Sequence, residues 1–146
     1  MSINPLAKHF RQPVIQIKLP SNGQFWPEGS LTMPENGEFP VYSMTAKDEL
    51  LLKIPDALMN GTGVVSVIQN CIPAIADAWK MPSVDVDACL IAIRIASYGN
   101  QMEFTSECPH CATTNDYAVD LSVMLSNITA PNYDKKIIVD NLKIKL

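Results

Sequence analysis

The most strongly helical part of this 146-residue chain is residues 85–100, which read DVDACLIAIRIASYGN. Two aspartates stand at the start, where carboxylates favour the positive end of a helix dipole, and Gly99-Asn100 is typical of a helix end. The pattern predicts a helix from Val86 to about Tyr98. Capping explains the two aspartates better than an acid pair or a metal site does. Because apolar residues occupy nearly every face, we expect this helix to be buried on all sides.

Arg94 is the only charged residue inside that predicted helix. The aliphatic stem of an arginine can pack against apolar neighbours while its guanidinium reaches a carboxylate or the surface. The alternative interpretation is an ion pair with another subunit. Arg94 is therefore a candidate interaction residue.

The chain before this helix carries two further helical signals. Thr45 and Asp48 have the spacing of a capping box, which predicts a helix that ends at Leu52 or Lys53. Apolar residues recur at helical spacing from Thr62 to Ile72 and predict a second helix.

Both ends of the chain are typical of β-structure. Near the start, we expect strands at residues 14–19 and 39–44, with Asn22-Gly23 as a hairpin signal and Pro40 marking an edge strand. After residue 100, strands are predicted at residues 101–106, 115–119, 136–139 and 142–146, with a short helix capped by Asp120 between the second and third of these.

These patterns predict an α+β fold. It has an N-terminal β-hairpin region, a central helical cluster and a C-terminal β segment with a Cys-x-x-Cys knuckle. We expect residues 1–12 to be a flexible segment and residues 13–146 to be a single domain. Within that domain, residues 13–44 are β-rich, residues 45–99 are helical and residues 100–146 form the β and knuckle part.

The composition excludes several classes of protein. Hydrophobic residues make up 47% of the chain and charged residues 18%, below the soluble average of about 25%, so wholesale disorder is excluded. A net charge of −4 argues against nucleic-acid binding. No apolar run approaches a membrane span, and the start lacks a secretory pattern, so we expect a cytoplasmic protein.

The low content of charged residues favours burial of part of the surface by other subunits.

Cys108-Pro109-His110-Cys111 is the one motif with evident chemistry. Two cysteines separated by two residues across a tight turn can bind one zinc ion, with His110 as a third ligand. The chain has no second Cys-x-x-Cys motif, so a fourth ligand would come from His9, Cys71, Cys89 or a neighbouring chain. Cys71 and Cys89 lie among apolar neighbours, which favours a place in the core and makes them poor ligands. The alternative is a knuckle that holds no metal, and zinc is the only cofactor that the sequence suggests.

The same four residues also match the active site of thioredoxin-type disulfide oxidoreductases. That site should lie near the start of a βαβ unit and open a long helix. Here a turn and a strand are predicted after Cys111, which disfavours a thiol-disulfide oxidoreductase. No nucleophile, base and orienting group can be nominated together, so we expect no enzyme activity.

Several segments in order resemble the baseplate proteins of T-even-type contractile-tailed bacteriophages. The resemblance covers about residues 14–125, and the order of its motifs is more specific than any one of them. The matching segments are Ile17–Gly23, Phe25–Gly29, Ser43–Glu49, Leu58–Thr62, Ile68–Ile72, Leu90–Gly99, Cys108–Cys111 and Val119–Leu121.

The resemblance implies a non-catalytic structural or assembly role in the baseplate hub. Partners would be other phage tail proteins in a multi-subunit assembly, without nucleic acid or membrane. The protein would lie in the host cytoplasm during assembly and in the virion baseplate if retained; a transient hub-assembly chaperone is the alternative. Besides Arg94, the candidate interaction residues are aromatic and methionine side chains near turns, namely Phe25, Trp26, Met44 and Trp79.

Overall fold

The computed structural model describes the backbone of residues 11–139 and 142–145 and the side chains of residues 11–136. Within these residues the chain forms five α-helices and six β-strands. The helices are α1 (Ala46–Leu52), α2 (Pro55–Met59), α3 (Thr62–Cys71), α4 (Ser83–Tyr98) and α5 (Leu121–Asn127). The strands are β1 (Ile15–Ile17), β2 (Phe39–Val41), β3 (Gln101–Glu107), β4 (Thr114–Asp120), β5 (Lys136–Val139) and β6 (Leu142–Lys145).

The strands form three separate antiparallel pairs, β1–β2, β3–β4 and β5–β6. With the helices between them along the chain, this confirms the predicted α+β fold. The link between β5 and β6, residues 140 and 141, lies outside the described residues. So do residues 1–10, which include His9 and most of the expected N-terminal segment.

Local sequence signals fix the helix boundaries. The capping box predicted for α1 is present, because the Asp48 carboxylate accepts the Thr45 N–H at 2.7 Å and the Asp48 N–H donates to the Thr45 hydroxyl. The predicted helix α3 is also confirmed, from Thr62 to Cys71. Helix α2 was not predicted, although Pro55 at its first position is a favourable helix start.

The pairing partner of β1 differs from the simplest hairpin prediction. Asn22 and Gly23 have the positive φ angles of a tight turn, 50° and 77°. The residues after the turn, however, form no strand, and Ile15 and Ile17 pair with Val41 and Phe39 instead. Strand β2, which contains Pro40, has β1 as its one partner among the described strands, so the edge-strand prediction is confirmed.

The Asp85 carboxylate explains why the chain after the Asn22-Gly23 turn is not a strand. Asp85 is completely buried in the first turn of α4. Its Oδ1 accepts the Ser21 N–H at 2.8 Å, and its Oδ2 accepts the Ser21 hydroxyl at 2.5 Å and the Trp26 indole N–H at 2.8 Å. These bonds tie the loop around residues 20–26 to α4.

The hydrophobic core lies between the β1–β2 pair, α3 and α4. Helix α4 begins at Ser83, three residues before the predicted start, and Leu90 on it is 37% exposed, so the expectation of burial on every side is wrong. The inward face of α4 is rich in small residues, which allows its backbone to approach the sheet and α3 closely. The buried core side chains include Ile17, Leu19, Phe39, Val41, Val67, Ile68, Cys71, Ile72, Cys89, Ala92, Ile93 and Ala96.

Beyond α4 the chain leaves this core. The β3–β4 hairpin starts just after Gly99, whose φ of 86° ends the helix, and α5 follows β4 with Asp120 as its predicted N-cap. The Leu121 N–H donates to the Asn100 carbonyl at 2.8 Å, which joins the two ends of the hairpin. No helix among the described residues is long and apolar enough to cross a membrane.

We expect Asp85→Ala to lower the free energy of unfolding by about 3 kcal/mol, because buried donors without an acceptor cost about 1–3 kcal/mol each. Urea unfolding followed by circular dichroism measures the change. The control is Asp87→Ala, since Asp87 is exposed on the same turn and should cost less than about 1 kcal/mol. Equal losses for the two variants would contradict the role of Asp85.

The stabilisation by Asp48 should depend on pH. Burial alone would raise the pKa of the Asp48 carboxyl, but hydrogen bonds from Thr45 and Asn70, together with Arg11, hold that pKa below its usual 3.8. Its contribution to stability is therefore complete above the unfolded-state pKa and is lost as the pH falls through the lower folded-state pKa. Asp48→Asn should destabilise the protein near neutral pH, and the difference from wild type should shrink in acid. A constant difference across this range would contradict the assignment.

Candidate functional site

The β3–β4 hairpin is the most exposed part of the described chain. All side chains of its strands are exposed except Met102, Val119 and Asp120 near its base. Phe104 and Tyr117 face each other across the strands and stack with ring centroids 5.2 Å apart. An isolated two-stranded hairpin with no covered face has little stability of its own. This hairpin is therefore a candidate contact element.

The Cys-Pro-His-Cys motif forms the tip of this hairpin. The Cys108 N–H donates to the Thr113 carbonyl and the Ala112 N–H donates to the Cys108 carbonyl, both at 2.9 Å. Ala112 takes a left-handed conformation, with φ at 54°. The turn therefore has a defined backbone that brings both cysteines to one end of the hairpin.

The two cysteines of the tip differ from the two in the core. Cys111 is exposed, and its thiol donates to the Thr113 hydroxyl at 3.1 Å. Hydrogen bonding with the side chain and the backbone of Thr113 holds the pKa of this thiol below the usual value. Cys71 and Cys89 are buried. Burial, with a smaller contribution from the Asp85 carboxylate, raises the pKa of the Cys89 thiol to about 12. Burial also raises the pKa of the Cys71 thiol, although Arg11 opposes this.

The predicted zinc ligands are only partly brought together. Within the part of the chain that the structure describes, no group of three or more His, Cys, Asp or Glu side chains could hold a metal ion. His110 is exposed beside the cysteines, whereas Cys71 and Cys89 belong to the core. The described residues thus offer the thiols of Cys108 and Cys111 without a third ligand in place.

The surroundings of the motif differ from those of a thioredoxin-type site. In such enzymes the first cysteine lies at a helix N-terminus, which lowers the pKa of its thiol. Here the motif connects β3 to β4, and the next helix is α5, beyond the whole of β4. The local structure lacks the helix that would activate a catalytic thiol.

Two of the predicted interaction residues are exposed. Phe25 and Trp79 are each 60% exposed. The Phe25 ring meets the Tyr133 ring edge-on, with centroids 5.0 Å apart. The Trp79 ring passes so close to Gly61 that a Cβ atom at that position would lie 3.3 Å from it. Both aromatic rings are held in place and still present surface to a partner.

Trp26 and Met44 have contacts within the chain. Both are half-buried and pack against the core. Trp26 donates its indole N–H to Asp85, and the Met44 N–H donates to the Ser97 hydroxyl at 2.9 Å. Their proposed role at an interface stays a prediction, but their intramolecular contacts already account for their positions.

Arg94 is half-buried on α4 and its guanidinium lies over the Tyr98 ring, 4.6 Å from the centroid. The Tyr98 hydroxyl donates to the Glu49 carboxylate at 2.8 Å, so this cluster connects α4 to α1. The Nη1 atom of Arg94 is buried without a hydrogen-bond partner among the described residues. The predicted ion pair with another subunit remains a prediction.

Sequence reasoning missed an apolar surface on α1 and α2. Leu50, Ile54, Leu58 and Met59 are all exposed, and Met59 is the most exposed of them at 88%. Leu50, Ile54 and Leu58 recur at intervals of four residues, which is the signal that could have identified one side of this segment. We refer to these four residues as the α1–α2 apolar surface. Exposed large apolar residues that follow one another closely in sequence are candidates for an interaction site.

A groove of about 420 Å³ lies beside the β1–β2 pair. Its walls are β1 on one side and parts of α4 and α5 on the other. Ile95 and Leu125 contribute apolar side chains to it, and Ser122 and Ser126 contribute hydroxyl groups. The groove holds no cluster of catalytic side chains.

Brief alkylation of the native protein should label Cys111 most rapidly and leave Cys71 and Cys89 unmodified. The reason is that the thiolate is the nucleophile, and the core thiols are both buried and shifted to high pKa. Peptide mass spectrometry after iodoacetamide treatment measures the labelling, and denatured protein, in which all four cysteines should react, is the control. Rapid labelling of Cys89 in the native state would contradict this description of the core.

A comparison with models of known protein families finds a match, which covers the structural features described above. The family described as T4 bacteriophage base plate protein matches residues 12–146, which include the core, the β3–β4 hairpin and its cysteine tip. No curated protein sequence and no solved structure matches the chain. The resemblance to T-even-type baseplate proteins is thereby confirmed at the level of the family. The chain belongs to the T4 bacteriophage base plate protein family and is a structural protein of the phage tail baseplate.

Proposed function

We propose that this chain is a non-catalytic component of the baseplate hub and acts through contacts with other tail proteins. The observation that carries the proposal is the α1–α2 apolar surface, Leu50, Ile54, Leu58 and Met59, which lies open on a chain that belongs to a baseplate family. When a partner removes exposed apolar groups of this kind from water, the free energy of the complex is lowered.

The distribution of buried groups supports a binding role over a catalytic one. The most completely buried carboxylate, Asp85, accepts hydrogen bonds from Ser21 and Trp26 and serves to hold the fold together. Large apolar side chains are exposed on α1, α2 and the β3–β4 hairpin, and at Phe25 and Trp79. In this proposal the protein enters the assembly in the host cytoplasm and remains in the virion baseplate.

Mass spectrometry of purified virions tests the hub proposal directly. A structural component should be present at a fixed copy number in mature particles. A transient hub-assembly chaperone would be required for tail formation but absent from those particles. If this protein is absent from mature particles, the structural role is overturned and the chaperone role is favoured.

An insulin-reduction assay should be negative, and clear activity would contradict the non-catalytic role.

The double variant Leu58→Asp and Met59→Asp should fold but fail to enter tails. We expect its incorporation to fall at least about tenfold, because losing a contact of about 2 kcal/mol weakens binding by more than that factor. Complementation of a phage that lacks the gene, followed by quantification of the protein in particles, measures the effect. Thr129→Asp adds a charge at another exposed position and is the matched control. Normal incorporation of the double variant would exclude this surface as a contact site.

A further inference from the structure

The tip of the β3–β4 hairpin presents a pair of sulfur ligands that no part of the proposed hub role explains. Cys108 and Cys111 flank the two middle residues of a tight turn, in which the Cys108 N–H donates to the Thr113 carbonyl and the Ala112 N–H donates to the Cys108 carbonyl. In a tetrahedral site with Zn–S distances of ~2.3 Å, two thiolates lie ~3.8 Å apart. The backbone bonds of the turn and the left-handed Ala112 bring both cysteines to the same end of the hairpin.

One chain cannot complete such a site from its described residues. Structural zinc sites are four-coordinate and closed, most often by cysteine and histidine. Cys71 and Cys89 are enclosed in the core, and no third His, Cys, Asp or Glu joins the pair at the tip within the described residues. The described residues therefore leave two of the four ligand positions to be filled.

A second copy of the chain supplies what is missing. The tip stands at the end of a hairpin whose strands are almost wholly exposed, so two tips can meet without the cores touching. A twofold axis through the metal would bring an identical pair of cysteines into place, and such self-complementary contacts are the commonest in homo-oligomers. The resulting four-cysteine set is a standard structural zinc site.

The charge of the hairpin makes this contact depend on the metal. Residues 101–120 contain Glu103, Glu107, Asp116 and Asp120 and no lysine or arginine. Two such hairpins repel each other when they approach, because like charges oppose association. A zinc ion with four thiolates still carries a net charge of −2, so the zinc–sulfur bonds themselves must outweigh this repulsion.

We propose that Cys108 and Cys111 are half of a zinc site that the same two cysteines of a second copy complete, which joins two chains through their hairpin tips. In the absence of metal, the hairpin tips do not join two chains. With zinc it forms a dimer that contains one ion for two chains.

The test uses the full chain, reduced and freed of metal, and titrated with zinc or with cobalt as a spectroscopic substitute. Light scattering after gel filtration should show the mass rising from 16.1 kDa to roughly twice that value. Metal analysis should give about 0.5 ion per chain, and cobalt should produce the sulfur charge-transfer absorption of a tetrahedral four-thiolate site. A chelator should restore the monomer while the helical circular dichroism signal persists.

Two variants distinguish the proposed cysteine ligands from the neighbouring His110. Cys111→Ser should abolish both metal binding and the change in mass, with the fold retained, because residue 111 is exposed. His110→Ala, in the same turn, should keep both. One ion per chain without a change in mass, binding that survives Cys111→Ser, binding that is lost in His110→Ala, or no binding at all would each overturn the proposal.

Discussion

The three hydrogen bonds that end on the Asp85 carboxylate connect parts of the chain more than 55 residues apart. A buried carboxylate without partners would be strongly unfavourable, so the loop that carries Ser21 and Trp26 must lie against the first turn of α4. The position at the N-terminal end of a helix adds a favourable dipole. Once this loop is placed, β1 is free to pair with β2 and to cover α3 and α4.

This constraint divides the molecule into a closed centre and an open periphery. The centre contains β1, β2, α3 and α4, whose apolar side chains are largely withdrawn from water. The β3–β4 hairpin and the short helices α1 and α2 expose apolar or sulfur-bearing side chains instead. In the proposed binding role, these peripheral elements are the ones whose apolar or sulfur groups are open to a partner.

Sequence signals predicted the position of the Cys-Pro-His-Cys turn, but they did not predict every exposed surface around it. The position of the Cys-Pro-His-Cys turn between two strands and its separation from the helical part were predictable, because turn and strand signals are local. The apolar neighbours of Cys71 and Cys89 already favoured the core over a metal site, and their burial agrees with this. The α1–α2 apolar surface was missed because Pro55 and Asn60-Gly61 suggested interruptions and concealed a short helix.

The sequence by itself determined the fold class, the family and most element boundaries, because capping residues, glycines and apolar periodicity act within a few positions of the chain. It could not determine that β1 pairs with β2, that Asp85 binds Ser21 and Trp26, or that Leu90 points outward. Each of these depends on competition between distant segments for the same buried space and the same hydrogen-bond donors. Only the tertiary structure decides such a competition, because its outcome is set by contacts that no local pattern encodes.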